Sequence, residues 1–164
     1  MNKIKVFLGG TCADTNDYRE SVTKALEASG YDYFNPIVDD WDKEAQKNEV
    51  AQKEVCDVHL YVITSAMMGT YSIAEVVESA ITRSYDGQLT IFLRVREGFC
   101  DRQWRSLDAV ASLVENYHAT SITAKTADEA PDSIVSIIKE WLSGAHYWTD
   151  YKPEPTQYDE WLEI

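Results

Sequence analysis

The carboxylate of Glu75 occupies a place in the chain where a nucleophile or a base could act. It belongs to residues 68–78, which follow the apolar run of residues 58–64. The apolar run predicts a buried strand, and the Ala, Glu and Val residues after it predict a helix. Glu75 would therefore lie in the first turn of that helix, at the carboxyl edge of a parallel sheet, where open α/β sheets bind their ligands.

A purely structural role for Glu75 is also open. The run Ser72-Ile73-Ala74-Glu75 matches a capping box, in which Ser72 caps the helix and the Glu75 side chain bonds back to it. Because capping boxes are frequent, these four residues taken alone favour the cap over the nucleophile.

The loop after the first predicted strand is a second candidate. Gly9 and Gly10, followed by Thr11, would let the backbone approach a ligand closely, and the helix that follows offers unpaired N–H groups to an anion. The alternative is a plain tight turn between a strand and a helix. Cys12, the next residue, is expected to be an inert member of the loop.

Two acids and a tryptophan follow the second predicted strand, at the same edge of the sheet. Asp39, Asp40 and Trp41 offer hydrogen-bond acceptors and an aromatic face that would suit a nucleobase. The alternative, which these residues alone favour, is a solvated acidic turn with Trp41 as a packing residue. Asp57, just before the third predicted strand, is a further acid whose plain role is that of a polar residue at the strand entry.

These candidates depend on strands and helices that alternate along the chain. Strands are predicted at residues 4–8, 31–34, 58–64, 90–95 and 121–123. Helices are predicted from a cap at Asn16 or Asp17 to a C′ glycine at Gly30, and at residues 42–56, 72–85, 102–117 and 132–142, the last entered through Pro131. The alternation predicts an α/β fold in which a parallel sheet lies between helices.

Composition narrows the class of protein. The 164 residues predict one domain, and the hydrophobic fraction of 45% is enough for a full core. A net charge of −13 argues against DNA or RNA polymers as partners, because it repels their phosphates. Three unpatterned cysteines and no signal peptide favour a reducing cytoplasm, and no apolar run suggests a membrane span. The three histidines lack metal-ligand spacing, so neither a metal nor a cofactor is expected.

The end of the chain has a different character from the predicted domain of residues 1–145. Residues 146–164 combine several tyrosines and tryptophans with acids and two prolines, outside any helical or strand period. The segment is too aromatic for a typical disordered tail. We expect it to pack on its own domain or on a neighbouring subunit.

Taken together, these segments resemble the nucleoside 2-deoxyribosyltransferase-like family. The resemblance covers roughly residues 3–95. It is carried by Val6-Phe7-Leu8-Gly9-Gly10-Thr11, Tyr33-Phe34-Asn35-Pro36 with Asp39-Asp40-Trp41, Asp57, and Gly69-Thr70-Tyr71-Ser72-Ile73-Ala74-Glu75. It implies a doubly wound, flavodoxin-like fold of about five strands, a small nucleoside or nucleotide as substrate, and a homo-oligomer.

The resemblance also implies roles for single residues. The glutamate of the last segment is the family's nucleophile at C1′ of the sugar, which here is Glu75, and this outweighs the capping interpretation. Asp57, Asp39 or Asp40 would protonate the leaving base in cleavage or transfer at the N-glycosidic bond. The remaining candidates would bind the substrate, and they are Gly9, Gly10, Thr11, Asn35, Asp39, Trp41, Gly69 and Ser72.

Some features of the family pattern are missing. Well-known members carry an acid near the position of Gly69 and a glycine where this chain has Val77. The nucleobase, the need for a 5′-phosphate and the choice between transfer and hydrolysis therefore stay open. A module that binds a nucleotide without turning it over is the alternative function.

Overall fold

Strands and helices alternate as the sequence predicts. The computed structural model describes residues 3–12, 18–39, 42–83 and 87–144. Within these residues the strands are β1 (Lys5–Gly10), β2 (Asp32–Phe34), β3 (Val58–Ile63), β4 (Leu89–Val95) and β5 (Thr120–Ala124). The helices are α1 (Tyr18–Ala28), α2 (Lys43–Val55), α3 (Tyr71–Arg83), α4 (Asp101–Glu115) and α5 (Ala130–Leu142). Each predicted strand and helix is confirmed, with bounds that differ by a few residues.

The five strands form one sheet in the order β2-β1-β3-β4-β5, and every pair of neighbours is parallel. This is the doubly wound, flavodoxin-like arrangement that the resemblance implies. The direction of winding reverses between β1 and β3, where Gly9 pairs with Tyr61 and Gly10 with Val62. A crevice forms at such a switch point, outside the carboxyl ends of the strands.

Two apolar layers cover the two faces of the sheet. Side chains of α1 and α5, such as Leu26 and Ile134, pack on one face against Leu8 and its neighbours. Side chains of α3 and α4 pack on the other face, in a cluster that contains Phe7. Because successive side chains of a strand point to opposite faces, Phe7 and Leu8 join different layers.

Helix α2 differs from the other helices because most of its surface is polar and exposed. Its first turn is capped by Asp42, whose side chain accepts hydrogen bonds from the backbone N–H groups of Glu44 and Ala45. The residues of α2 that are buried are both charged, Glu49 and Lys53. A helix that buries charged residues needs a polar partner for them.

The predictions for the two ends of α1 and for the end of the chain meet different outcomes. The C′ glycine Gly30 is confirmed, since it has φ 78° just after α1 and the Tyr31 N–H bonds back to the Leu26 carbonyl. The aromatic tail of residues 146–164 and the cap at Asn16 or Asp17 lie outside the described residues. In the described part of the chain, no helix is both long and apolar enough to cross a membrane.

The two glycines at the end of β1 are required by the closeness of β3. A Cβ on Gly9 would lie 2.5 Å from two carbons of the Tyr61 ring. Gly10 has φ 108°, and a Cβ there would lie 2.1 Å from the Val62 carbonyl oxygen. The glycines therefore allow the two strands to stay paired up to the edge where the crevice opens.

The substitution Gly10→Ala tests this requirement. It should lower the free energy of unfolding by about 2–5 kcal/mol, because a positive φ costs about 1–2 kcal/mol and a forced contact in packed surroundings adds about 1–3. Gly30→Ala is the matched control, since Gly30 also has a positive φ but its Cβ would meet nothing within 4 Å. Urea unfolding should give the control only the smaller cost. Equal costs for both variants would contradict the close approach of β1 to β3.

Candidate active site

A cavity of about 590 Å³ opens at the carboxyl edge of the sheet, beside the switch point. This volume lies in the range of small-molecule sites. The residues that line it come from the ends of β1 and β2 and from helices α2 and α3. They are Gly9, Gly10, Cys12, Pro36, Ile37, Val38, Gln46, Glu49, Tyr71, Ser72 and Glu75.

Glu75 lies in the second turn of α3, not the first, and is nearly buried in the cavity wall. Its side chain does not return to its own helix, because the carboxylate accepts a hydrogen bond from the Lys53 ammonium of α2. The capping box does not form. The first turn of α3 is instead closed at the Thr70 carbonyl, which accepts hydrogen bonds from the backbone N–H groups of Ile73 and Ala74. The Ser72 hydroxyl donates a hydrogen bond to the Gly10 carbonyl at 3.1 Å.

Glu75 belongs to a group of three charged residues, which we call the buried triad: Glu49, Lys53 and Glu75. Glu49 and Lys53 lie one turn apart on α2, with 3.5 Å between Glu49 Oε1 and Lys53 Nζ. Their exposed fractions are 9% for Glu49, 7% for Lys53 and 7% for Glu75. The Lys53 ammonium also lies over the Phe7 ring, 5.1 Å from its centroid. One cation therefore serves two carboxylates, both of which line the cavity.

This arrangement changes how the triad holds protons. Burial is the largest effect on Glu75 and raises its pKa to about 7; the hydrogen bond and charge of Lys53 act against this, and those of Glu49 add to it. Burial lowers the pKa of Lys53, but the hydrogen bond that Lys53 donates to Glu75 and the charges of both carboxylates outweigh this effect, so the pKa rises overall. Lys53 therefore stays charged at neutral pH, while Glu75 exchanges its proton near neutral pH.

A neutral network beneath the triad fixes the backbone of Lys53. Nε2 of His59 lies 2.8 Å from the Lys53 carbonyl oxygen, and Nδ1 lies 3.0 Å from the Ser79 hydroxyl, which contacts the Tyr61 hydroxyl at 2.7 Å. Burial above all lowers the pKa of His59 to about 4, so its ring is neutral at neutral pH. Since a carbonyl can only accept, Nε2 carries the ring hydrogen and donates a hydrogen bond to the Lys53 carbonyl oxygen. Nδ1 then accepts a hydrogen bond from the Ser79 hydroxyl.

The structure brings together some of the predicted site residues. Gly9, Gly10 and Ser72 line the cavity with Glu75. Thr11 is next to them but is buried, and its hydroxyl accepts from the Thr64 N–H at 3.0 Å. Thr11 therefore holds the ends of β1 and β3 together.

Other predicted residues of the two loops lie away from the cavity wall. The Asn35 side-chain oxygen accepts from Arg19 at 3.2 Å and from the Ile37 N–H at 3.3 Å, so it shapes the loop after β2. Asp39 is exposed at the far end of that loop, and Gly69 is exposed ahead of α3. Asp40 and Trp41 lie outside the described residues.

Asp57 occupies the opposite edge of the sheet. It directly precedes β3, and its carboxylate accepts from the Lys5 N–H at 2.8 Å, where β1 begins. The cavity lies at the other end of these two strands, beyond Gly10. This position does not fit the predicted role of Asp57 as the acid for a leaving base, and instead makes Asp57 a residue that joins the starts of two strands.

Several cavity residues were not foreseen from the sequence. They are Gln46 and Glu49 of α2, the apolar wall of Pro36, Ile37 and Val38, and Tyr71. Lys53 of α2, which holds Glu75 from behind the cavity wall, was not foreseen either. The one usable signal was the spacing of Gln46, Glu49 and Lys53, which places the three on one face of a helix. That spacing does not show which element the face meets.

A comparison of the sequence with models of known families shows which family the chain belongs to. The sequence model of the family described as "nucleoside 2-deoxyribosyltransferase like" matches residues 3–86, just over half of the 164 residues. The chain belongs to this family. The match runs from the start of β1 past the end of α3, so the part of this nucleoside 2-deoxyribosyltransferase-like chain that forms the cavity lies within it. No curated protein matches the chain closely enough to add a named relative.

Cys12 offers a chemical probe of the cavity. Its side chain is exposed at the cavity wall, whereas Cys56 is buried, and burial raises the pKa of Cys56 to about 11. In a Cys100→Ser variant at neutral pH, a maleimide should label Cys12 in the folded protein at least about a hundredfold faster than Cys56, since the thiolate is the reactive form and needs access. Peptide mapping by mass spectrometry measures the two rates. Comparable rates in the folded protein would contradict the placement of Cys12 and Cys56.

Proposed function

We propose that the protein cleaves or transfers the N-glycosidic bond of a deoxynucleoside or nucleoside monophosphate, with Glu75 as the nucleophile. The observation that carries this proposal is the placement of Glu75 in the cavity wall, held by Lys53 from another helix and not by its own. A carboxylate that merely capped α3 would have no such partner. Membership of the family adds weight to the same residue.

The proposed reaction has two displacements. A carboxylate oxygen of Glu75 forms a bond to C1′ of the sugar as the bond from C1′ to the base nitrogen breaks, and the base leaves with that electron pair and a proton. A second base, or water, then attacks C1′ of the glycosyl-enzyme, and the carboxylate of Glu75 is released. A buried carboxylate suits this chemistry because it stabilises the positive charge that develops on the sugar ring.

The lining of the cavity suits a nucleoside. Pro36, Ile37 and Val38 form an apolar wall against which a flat base can pack, and Tyr71 adds an aromatic ring. Gly9 and Gly10 line the cavity beside Glu75, where the sugar would lie. We propose that the proton for the leaving base comes from Asp40, which follows the apolar wall in the chain.

A second function, binding without turnover, is favoured by one feature of the triad. Lys53 contacts Glu75 directly and so neutralises part of the charge that a nucleophile uses. A module that binds a nucleotide-derived ligand in the same cavity would be stabilised against thermal unfolding by that ligand. It would release no free base.

The substitution Glu75→Gln separates these functions. It keeps the size of the side chain but removes the nucleophile, so release of free base from deoxynucleosides should fall by about three orders of magnitude or more while the fold is retained. Glu78→Gln is the matched control, because Glu78 lies on the same helix but is exposed. Base release is followed by chromatography, with a panel of deoxynucleosides and their monophosphates.

Two results would count against the proposed nucleophile. One is turnover by Glu75→Gln within tenfold of the wild-type rate. The other is a wild-type protein that is stabilised by deoxynucleosides but releases no base from any of them, which would establish the binding module instead.

A further inference from the structure

The lysine that holds the proposed nucleophile is itself shared with a second carboxylate. Lys53 Nζ donates to Glu75 and lies 3.5 Å from Glu49 Oε1. An ammonium has three N–H donors, so it can serve both carboxylates at once. Glu49 also lines the cavity, whereas Lys53 approaches it from behind the two carboxylates.

We propose that Lys53 is a positioning residue, which holds Glu75 as a carboxylate directed into the cavity, and that Glu49 moderates this hold. The proposal rests on the proposed function, since it assigns to Lys53 and Glu49 the control of the same nucleophile. Neither residue needs to touch the sugar to act in this way.

The charges of the triad give the physical reason. When Glu75 bonds to C1′, its carboxylate becomes a neutral ester and can no longer balance the ammonium. A buried ammonium without a partner is strongly unfavourable, but Glu49 is in place to pair with it. Before the reaction, the negative charge of Glu49 raises the pKa of Glu75 and so opposes the hold of Lys53 on the ionised nucleophile.

The groups that face the triad from neighbouring elements support these roles for Lys53 and Glu49. From β3 come His59, which is neutral, and Tyr61, whose pKa is raised above all by burial. From α3 comes Tyr71, whose pKa burial also raises. The remaining contact is the Phe7 ring of β1, whose face attracts the ammonium. Among these facing groups none supplies a second buried cation for Glu75.

The test is the pH profile of kcat/KM for base release, because Glu75 acts as a nucleophile only when ionised. Activity should fall as the pH drops through the pKa of Glu75, near 7 in the wild type. Lys53 lowers that pKa, so Lys53→Met should move the acid limb of the profile to higher pH by about one unit or more. Glu49 raises it, so Glu49→Gln should move the limb to lower pH.

Conservative and control variants separate positioning from loss of structure. Lys53→Arg keeps the charge and should leave the acid limb near its wild-type position. Lys47→Met and Glu44→Gln are controls, because both residues lie exposed on α2. If Lys53→Met does not fold, the double variant Lys53→Met with Glu49→Gln removes both charges together and should still show a limb set by Glu75 alone.

An acid limb that moves to higher pH in Lys53→Met and to lower pH in Glu49→Gln establishes the proposal, and the reverse pair of shifts overturns it. Shifts in the same direction, or lower rates with an unmoved limb, overturn it while the proposed function stands, provided that Glu75→Gln is inactive. A wild-type protein that releases no base at any pH overturns both.

Discussion

One ammonium between two buried carboxylates requires that two helices of this structure pack side by side. Lys53 can reach Glu75 only if α2 lies against α3 across the end of β1, and the doubly wound order places the two helices on the same face of the sheet. The Phe7 ring and the carbonyl bond from His59 then fix both ends of the lysine. Breaking such a buried pair by removal of one partner typically costs about 3–5 kcal/mol, so the fold and the site are coupled at this contact.

The same contact adds little to the stability of the fold. Hydrophobic residues in place of a buried ion group are often neutral or stabilising, so three buried charges are weak support for stability. The placement of Glu49 and Glu75 in a cavity wall, at the switch point where this fold class binds ligands, argues for function instead. The glycines at the carboxyl end of β1 also contribute to the site, because they let β1 and β3 stay paired beside the cavity.

Much of the fold was predictable because its strands carry a strong local signal. β3 and β4 are buried along their whole length and read as continuous apolar runs, as strands covered on both faces do. The short strand β2 was found from its flanking residues Gly30 and Pro36, which mark its limits. The observed ends of helices and strands differ from the predicted ends by a residue or more, because the local sequence determines such ends only weakly.

The site was only partly predictable, for two different reasons. Asp57 could have been placed correctly, because a residue just ahead of a parallel strand lies at its amino end, away from the ligand edge. Lys53 and Glu49 could not, since charged residues on a polar helix usually face solvent and only the contact between α2 and α3 shows otherwise. The Ser72 hydroxyl likewise follows a tertiary partner, the Gly10 carbonyl, and not the local capping pattern.

The most direct measurement of the central claim is the mass of the protein during turnover. Wild-type protein is mixed with a 2′-deoxynucleoside, quenched in acid and measured intact, and the modified peptide is then mapped. The account predicts an added deoxyribosyl group on the peptide that contains Glu75, which disappears when a second base is supplied. Base release without any such adduct, or an adduct on a different residue, would contradict a glycosyl-enzyme formed at Glu75.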